Sequence, residues 1–308
     1  MSGAVTMSEP RVAWVFRRFA RHRLAVAGAV VLAVLVLAAL AAPLITSIFD
    51  LDGVTVDLFA RYGPPDAAHP LGTDELGRDV LARLLYGGRV SLFVGLAATI
   101  AAAVIGTTVG LISGYVGGRT DAIVMRITDG VIALPLLPLL IVLAAVDLEK
   151  LGLPAAWTES GDASLIRIII IVALAGWTTV ARLVRATTLS IKARPFVLAA
   201  RAQGASAMRI MVRHILPNLA SPIIVATTLS VGNVILLESV LSFLGLGIQP
   251  PLPSWGNLLT GAQETIWEAP GLAIYPGLLI FVTVIAFNFV GDGLQDALDP
   301  RARERQGS

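Results

Sequence analysis

Residues 24–42 read LAVAGAVVLAVLVLAALAA, nineteen consecutive positions without a charge. At about 1.5 Å per residue a helix of that length covers roughly 28 Å, close to the roughly 30 Å hydrocarbon core of a bilayer. Arg17, Arg18, Arg21 and Arg23 precede the run and Ala39-Leu40-Ala41 resembles a small-residue cleavage site, so a secretory signal is the competing reading. The run exceeds the usual signal core of roughly 15 residues, and further apolar stretches follow it, which favours a retained membrane helix.

Working outward, comparable stretches occupy 90–116, 123–146, 165–180, 219–243 and 274–290. With 24–45 they predict an all-α integral membrane protein of six transmembrane helices. Arg126, Asp129, Pro135 and Pro138 interrupt the third stretch, and Arg182 closes a short fourth. A chain of 308 residues that is 56% hydrophobic and 14% charged has more apolar surface than a soluble domain of that size buries. Its formal net charge of +2 gives no reason to expect nucleic acid. The absence of cysteine excludes a disulfide scaffold, a thiolate zinc site and a cysteine nucleophile.

Orientation follows from the basic residues, which are retained on the cytoplasmic side. With the N-terminus inside, the inner face collects Arg11, Arg17, Arg18, Arg21, Arg23, Arg119, Arg126, the basic segment 182–213, and Arg301, Arg303 and Arg305. Only Arg61, Arg78, Arg83, Arg89, Lys150 and Arg167 fall outside, so both termini are expected in the cytoplasm. The outer loop 49–89 is turn-rich at Gly63-Pro64-Pro65 and His69-Pro70 and is expected to fold as a cap on the outer surface. The inner segment 182–217 reads as two short helices meeting at a bend. Pro195 opens the first, Gly204 ends it in the left-handed conformation, and Ser206 caps a second that is expected to stop near Pro217. The bland alternative is an ordinary positive-inside loop whose arginines fix topology or meet anionic lipid.

The wording of that segment favours the first reading. Phe196-Val197-Leu198-Ala199-Ala200-Arg201-Ala202-Gln203-Gly204, continuing to Arg213-His214-Ile215-Leu216-Pro217-Asn218, resembles the cytoplasmic loop signature of ABC importer permeases. Four further stretches resemble the C-type permeases of the dipeptide and oligopeptide importers. They are His69-Pro70-Leu71-Gly72-Thr73-Asp74-Glu75-Leu76-Gly77-Arg78-Asp79 with Arg83; Gly114-Tyr115-Val116-Gly117-Gly118 with Asp121, Arg126 and Asp129; Leu237-Glu238-Ser239 running through Leu241-Ser242-Phe243 to Pro253-Ser254-Trp255-Gly256; and Gly291-Asp292-Gly293-Leu294 with Asp296-Ala297-Leu298-Asp299-Pro300-Arg301. They follow the family's order along nearly the whole chain.

This resemblance implies a type I ABC importer (MetI-like) transmembrane domain over 90–291, preceded by an N-terminal segment and first helix at 1–60 and an extracytoplasmic loop at 61–89, and followed by a cytoplasmic tail at 292–308. It also implies residence in a bacterial inner membrane, pairing with a homologous B-type permease, two ABC ATPase subunits inside, and an extracytoplasmic peptide-binding protein. The loop 182–217, with Leu198, Ala199, Ala200, Arg201, Gly204, Leu216 and Pro217, would couple to the ATPase. Leu198 departs from the family pattern, which usually has glutamate there. The cargo implied is a dipeptide or short oligopeptide, with glutathione or a nickel complex as the alternative.

Other residues carry two readings each. Glu238, a carboxylate in an apolar span, marks either a translocation path or gate or an interhelical hydrogen bond. Arg126 and Asp129, three apart, are expected to pair across one helical turn. Gly72, Thr73, Asp74, Gly77, Arg78 and Asp79 form an exterior motif, read as a loop network because no histidine pair accompanies it. Asp292, Asp296 and Asp299 suggest helix-end capping and an inner-surface contact. No residue is expected to be catalytic, and neither Lys150 nor Lys192 sits in a phosphate-binding Gly-Lys-Ser/Thr context, so ATP and Mg²⁺ are assigned to partner subunits and no cofactor to this chain. A secondary transporter would need more intramembrane ionisable groups than Glu238. A membrane zinc enzyme would need clustered ligands, whereas His22, His69 and His214 are far apart in sequence.

Overall fold

The computed structural model describes residues 11–146 and 161–299. Lys150, Pro300, Arg301, Arg303 and Arg305, used in the charge and C-terminal readings, lie outside the described residues. Among the described residues there is no β-strand, only an isolated bridge between Thr73 and Asp79.

Helix α1, Arg11–Arg21, is separated by His22 from α2, Arg23–Leu40, and the His22 ring caps α2 by accepting from the Ala25 N–H at 3.1 Å. The chain breaks at Ala41 and continues as α3, Ala42–Ile48, with Pro43 in its first turn. After the outer loop, α4 runs from Val80 to Val116, a helix of 37 residues and therefore about 55 Å long. Asp79 opens it by accepting from the Ala82 N–H at 2.7 Å, and Gly117, at φ 72°, ends it. Then come α5, Gly118–Ala133; α6, Leu136–Ala144; and α7, Gly161–Ile191. Two short helices, α8 at Pro195–Ala202 and α9 at Ala207–Ile210, precede α10, Leu216–Phe243. A four-residue α11, Ala262–Thr265, leads into α12, Gly271–Leu298.

Five helical segments are long and apolar enough to cross a membrane, and the α5–α6 pair makes a sixth if its bend of 89° is counted within one span. The interruption that Pro135 and Pro138 predict in the third stretch is present as a break between α5 and α6. Leu134-Pro135 breaks the stretch, Pro135 becomes the residue before α6, and Pro138 falls in the first turn of α6, where a missing N–H leaves no hydrogen bond unmade. The helices also outrun their apolar stretches: α4 begins at Val80 and α7 continues to Ile191, because polar and charged residues extend a helix beyond the lipid-facing part that hydropathy reports.

The second short inner helix does not stop near Pro217. A π-helical turn at Met211–Ile215 joins α9 to α10, and the Leu216 N–H donates to the Met211 carbonyl. That wider turn accommodates the proline ring and its missing donor, so one helical path runs from Ala207 to Phe243.

In lipid there is little hydrophobic force between helices, so close approach matters most. Gly106, Gly110 and Gly114, one turn apart on α4, lie against the backbone of α7. A Cβ on them would come within 2.5 Å of the Trp177 carbonyl, 2.4 Å of the Ala181 carbonyl and 2.8 Å of the Thr188 Cβ. Elsewhere Gly28 of α2 fits against the Ala286 carbonyl of α12, and Gly95 of α4 against Ile235 of α10. Gly110→Val is expected to cost about 3 kcal/mol or more by overpacking, whereas Gly130→Ala, with open space around its Cβ position, is expected to be neutral or stabilising. Thermal unfolding of the two purified variants followed by size-exclusion fluorescence checks the contrast.

Candidate functional site

The predicted functional residues fall into three separate places along the bundle. At one end, the bend between α8 and α9 is built as local sequence dictates. Pro195 occupies the first turn of α8, Gly204 has φ +80°, and the Ser206 hydroxyl accepts from the Arg209 N–H at 3.4 Å. Val197, Ile210 and Ile215 point inward and join Val180, Val184 and Leu219 in one apolar cluster, and Ala200 is buried beside them in α8. The outward face mixes Phe196, Leu198 and Met208, which are 43%, 49% and 67% exposed, with the exposed Ala199, Arg201, Arg209 and Arg213. Leu216 is half-buried and Pro217 exposed.

This bend is braced against the ends of α4 and α7. The Arg201 guanidinium lies 5.7 Å from the centre of the Tyr115 ring, and Lys192 donates to the Gly114 carbonyl at 2.7 Å. Beside them Asp121 of α5 accepts two hydrogen bonds from Arg185 of α7, at 2.5 and 2.6 Å, and another from the Ser113 hydroxyl. Bidentate charge-assisted pairs of this kind fix geometry as well as adding energy. The expected Arg126–Asp129 pair is absent. Asp129 instead accepts from Arg182 of α7 at 2.5 Å, because α7 lies beside α5 and brings that guanidinium within reach.

Glu238 occupies the second place. It is 0% exposed, and its two oxygens accept from the Ser242 hydroxyl at 2.7 Å and from the Ser91 hydroxyl of α4 at 3.2 Å. Ser91 in turn accepts from the Trp255 N–H at 3.1 Å, the Trp255 indole donates to the Leu84 carbonyl at 3.0 Å, and the Ser242 oxygen accepts from the Ile248 N–H at 3.0 Å. The carboxylate thus ties α4, α10 and the segment between α10 and α12 together in the interior of the chain. Buried groups in such networks are costly to leave half-satisfied.

The third place is the exterior motif. Asp74, 2% exposed, accepts from the Leu76 and Arg78 N–H groups at 2.8 and 3.0 Å and from the Arg78 guanidinium at 2.9 Å, and it pairs with Arg83. Asp79 caps α4, sits 3.1 Å from the His69 ring and receives no solvent, while its N–H donates to the Asp52 carbonyl at 2.9 Å. The Asp52 carboxyl is held below the usual carboxylate range by the Thr55 hydroxyl and by the Thr55 and Val54 N–H groups. Gly77 has φ +75° and lies where a Cβ would overlap the Asp57 carbonyl; Gly72 has φ +78° and similarly meets Gly63. Thr73 donates to the Ala60 carbonyl and accepts from the Gly63 N–H at 2.8 Å. Among the described residues no cluster of three metal-ligating side chains occurs. Sequence reasoning missed Ser91, Arg185 and Lys192, which complete these networks. The Gly106, Gly110 and Gly114 spacing was the visible signal for the contact that aligns them.

Residues 106–304 match the family described as the inner membrane component of binding-protein-dependent transport systems, and residues 13–65 match the N-terminal transmembrane domain of oligopeptide transport permease C. The chain is 39% identical to the dipeptide transport system permease protein DppC of Alkalihalophilus pseudofirmus, with 94% of this chain and 89% of the relative covered. It is also 39% identical to the oligopeptide transport system permease protein OppC of Bacillus subtilis (93% and 88% covered) and to the glutathione transport system permease protein GsiD of Pectobacterium atrosepticum (94% and 90%).

Glu238→Leu, which leaves two buried hydroxyls without their acceptor, is expected to destabilise the chain by about 2 kcal/mol and to expose residues 244–261 to protease, with Glu238→Gln affected less. Limited proteolysis of the purified chain, read by mass spectrometry, checks the order.

Proposed function

We infer the function from one premise: the chain belongs to the family of binding-protein-dependent transport system inner membrane components. It is a multi-pass membrane permease subunit. We propose that it forms half of the transmembrane pathway of an ATP-driven importer for dipeptides or short oligopeptides, with a homologous permease as the other half, two ATPase subunits on the cytoplasmic side and an extracytoplasmic binding protein delivering cargo. The match with GsiD keeps glutathione, itself a short peptide, as the second reading.

The observation that carries the proposal is the bent inner segment. Its exposed side offers apolar side chains ringed by arginines, as a protein interface does, and its buried side is joined to the spanning helices by an apolar cluster, with Lys192 bonded to Gly114 beside it. A surface that is free outward and rigid inward suits the transfer of a partner's motion into the membrane. In this reading α8 seats in a groove of the ATPase. Leu198, half exposed where the family usually carries glutamate, contributes an apolar contact in place of a charged one. ATP and Mg²⁺ belong to the partners, and this chain's residues perform no chemistry. The segment 182–217 is the coupling region of a permease domain spanning 90–291, the parts 1–60 and 61–89 are its first-helix and exterior portions, 292–308 is a cytoplasmic tail, and both termini lie in the cytoplasm. The exterior motif around Asp74 and Asp79 shapes the face offered to the binding protein, and Glu238 holds α4 and α10 in register rather than contacting cargo.

The test is affinity purification of the tagged chain from its native membrane in mild detergent, with identification of partners and measurement of ATPase turnover. Recovery of a second permease and P-loop ATPases, with turnover raised by peptide-loaded binding protein, is the expected outcome; ion-driven transport by the purified chain alone would overturn the proposal. Two substitutions probe the inner segment. Gly204→Val, strained at φ +80°, is expected to reduce ATPase recovery while the chain remains inserted. Arg201→Glu is expected to lower ATPase recovery more than Arg61→Glu does, measured by pull-down against membrane yield.

A further inference from the structure

Between α2 and α4 lies an apolar groove of about 590 Å³. Tyr86, Arg89, Phe93 and Leu96 of α4 line it at spacings of three and four, hence on one face of that helix, and Val36 and Leu40 of α2 stand opposite. Phe93 and Leu96 of α4 are 60% and 50% exposed and Val36 and Leu40 of α2 are 42% and 65% exposed, so this chain leaves both walls of the groove uncovered.

The depth of the groove in the membrane follows from α2. Arg23 begins that 18-residue apolar helix and Leu40 ends it, so Leu40 marks the far edge of the hydrocarbon layer. Arg89, lining the same groove, sits at that boundary, while Leu96 lies seven residues further along α4, about 10 Å deeper. The Arg89 guanidinium is held 5.8 Å from the centre of the Tyr86 ring, and among the described residues no carboxylate pairs with it. An exposed cation at the headgroup level, above an uncovered apolar cleft, is complementary to a molecule with an anionic head and a hydrocarbon tail. Apolar walls alone would suit a neighbouring helix as well; the Arg89 cation at the boundary, without a carboxylate partner among the described residues, favours an anionic amphiphile.

We propose that this groove is a phospholipid site: the phosphate binds Arg89 at the membrane boundary and one acyl chain descends between α2 and α4 along Phe93 and Leu96. Arginine suits the task because its planar fork offers two parallel donors to phosphate oxygens and stacks on an aromatic ring without losing them. The site is independent of the inner segment and of the cargo assignment, so its failure leaves the transport reading untouched.

The experiment uses the assembled complex purified in a detergent that strips loosely held lipid, with native mass spectrometry counting retained phospholipid and chromatography identifying its class. One phospholipid per copy of this chain is expected. Arg89→Gln is expected to lower retention about tenfold, the loss of one charge-assisted interaction. Arg89→Lys, which keeps the charge without the fork, is expected to fall between. Leu96→Trp, which fills the cleft, is expected to abolish retention, and Arg61→Gln, in the outer loop, to leave it unchanged. Because the chain has no cysteine, Phe93→Cys provides a single thiol in the groove. Retention equal to wild type in both Arg89→Gln and Leu96→Trp, with assembly intact, would overturn the site. So would quantitative cross-linking of the Phe93→Cys thiol to a neighbouring polypeptide, which would assign the groove to a partner helix.

Discussion

Backbone contact between α4 and α7 is the constraint on which the rest of this bundle depends. Water drives apolar helices together in soluble proteins, but lipid is as apolar as the helices it surrounds, so association must come from packing and polar contacts. Gly106, Gly110 and Gly114 remove every side chain from one stripe of α4, and the main chain of α7 fills the space. That contact is also what makes the inner networks possible. With the two backbones pressed together, Lys192 beyond the end of α7 reaches the Gly114 carbonyl, and Arg185 of α7 reaches Asp121 just past the end of α4. A larger residue in the stripe would separate these groups by more than a hydrogen bond tolerates.

The polar groups obey a second rule. Two carboxyl groups are held by partners from another element: Glu238 by Ser91 across the α4–α10 contact, and Asp121 by Arg185 across α5 and α7. Such pairs add little net stability when made but cost several kcal/mol when broken, so they select one arrangement of helices over near alternatives. The exterior motif works likewise without lipid. Two buried aspartates gather backbone donors, arginines and a helix N-terminus, and two glycines with positive φ let the chain turn tightly enough for them to do so.

Much of this was legible in the sequence. The apolar runs disclosed the spans, and Pro195, Gly204 and Ser206 disclosed the inner bend residue by residue, because each of those signals is local. What escaped was set by neighbours. The Asp129 partner is Arg182 rather than Arg126, since the choice depends on how α5 lies beside α7. Pro217 does not end a helix, since a π-turn supplies the room that an isolated helix would lack. Helix ends at Val80 and Ile191 escaped because hydropathy senses lipid, and these ends project beyond it. Glu238 was open between two roles in sequence because both demand a carboxylate within an apolar run, and its hydrogen bond to Ser91 depends on how α4 lies beside α10.

The length of α4 then acquires a meaning that no single motif supplies. About 55 Å of continuous helix begins at the capped Asp79 of the exterior network, passes Ser91 at the Glu238 node, runs along α7 through the glycine stripe and ends at Tyr115, beneath Arg201 of the inner bend. The inner bend and the exterior motif are therefore each anchored on an end of the same helix. The weak points are the α5–α6 break and the π-turn before α10, where helical hydrogen bonding is interrupted. Relative movement of helices is expected to concentrate there, with α4 and α7 moving as one unit.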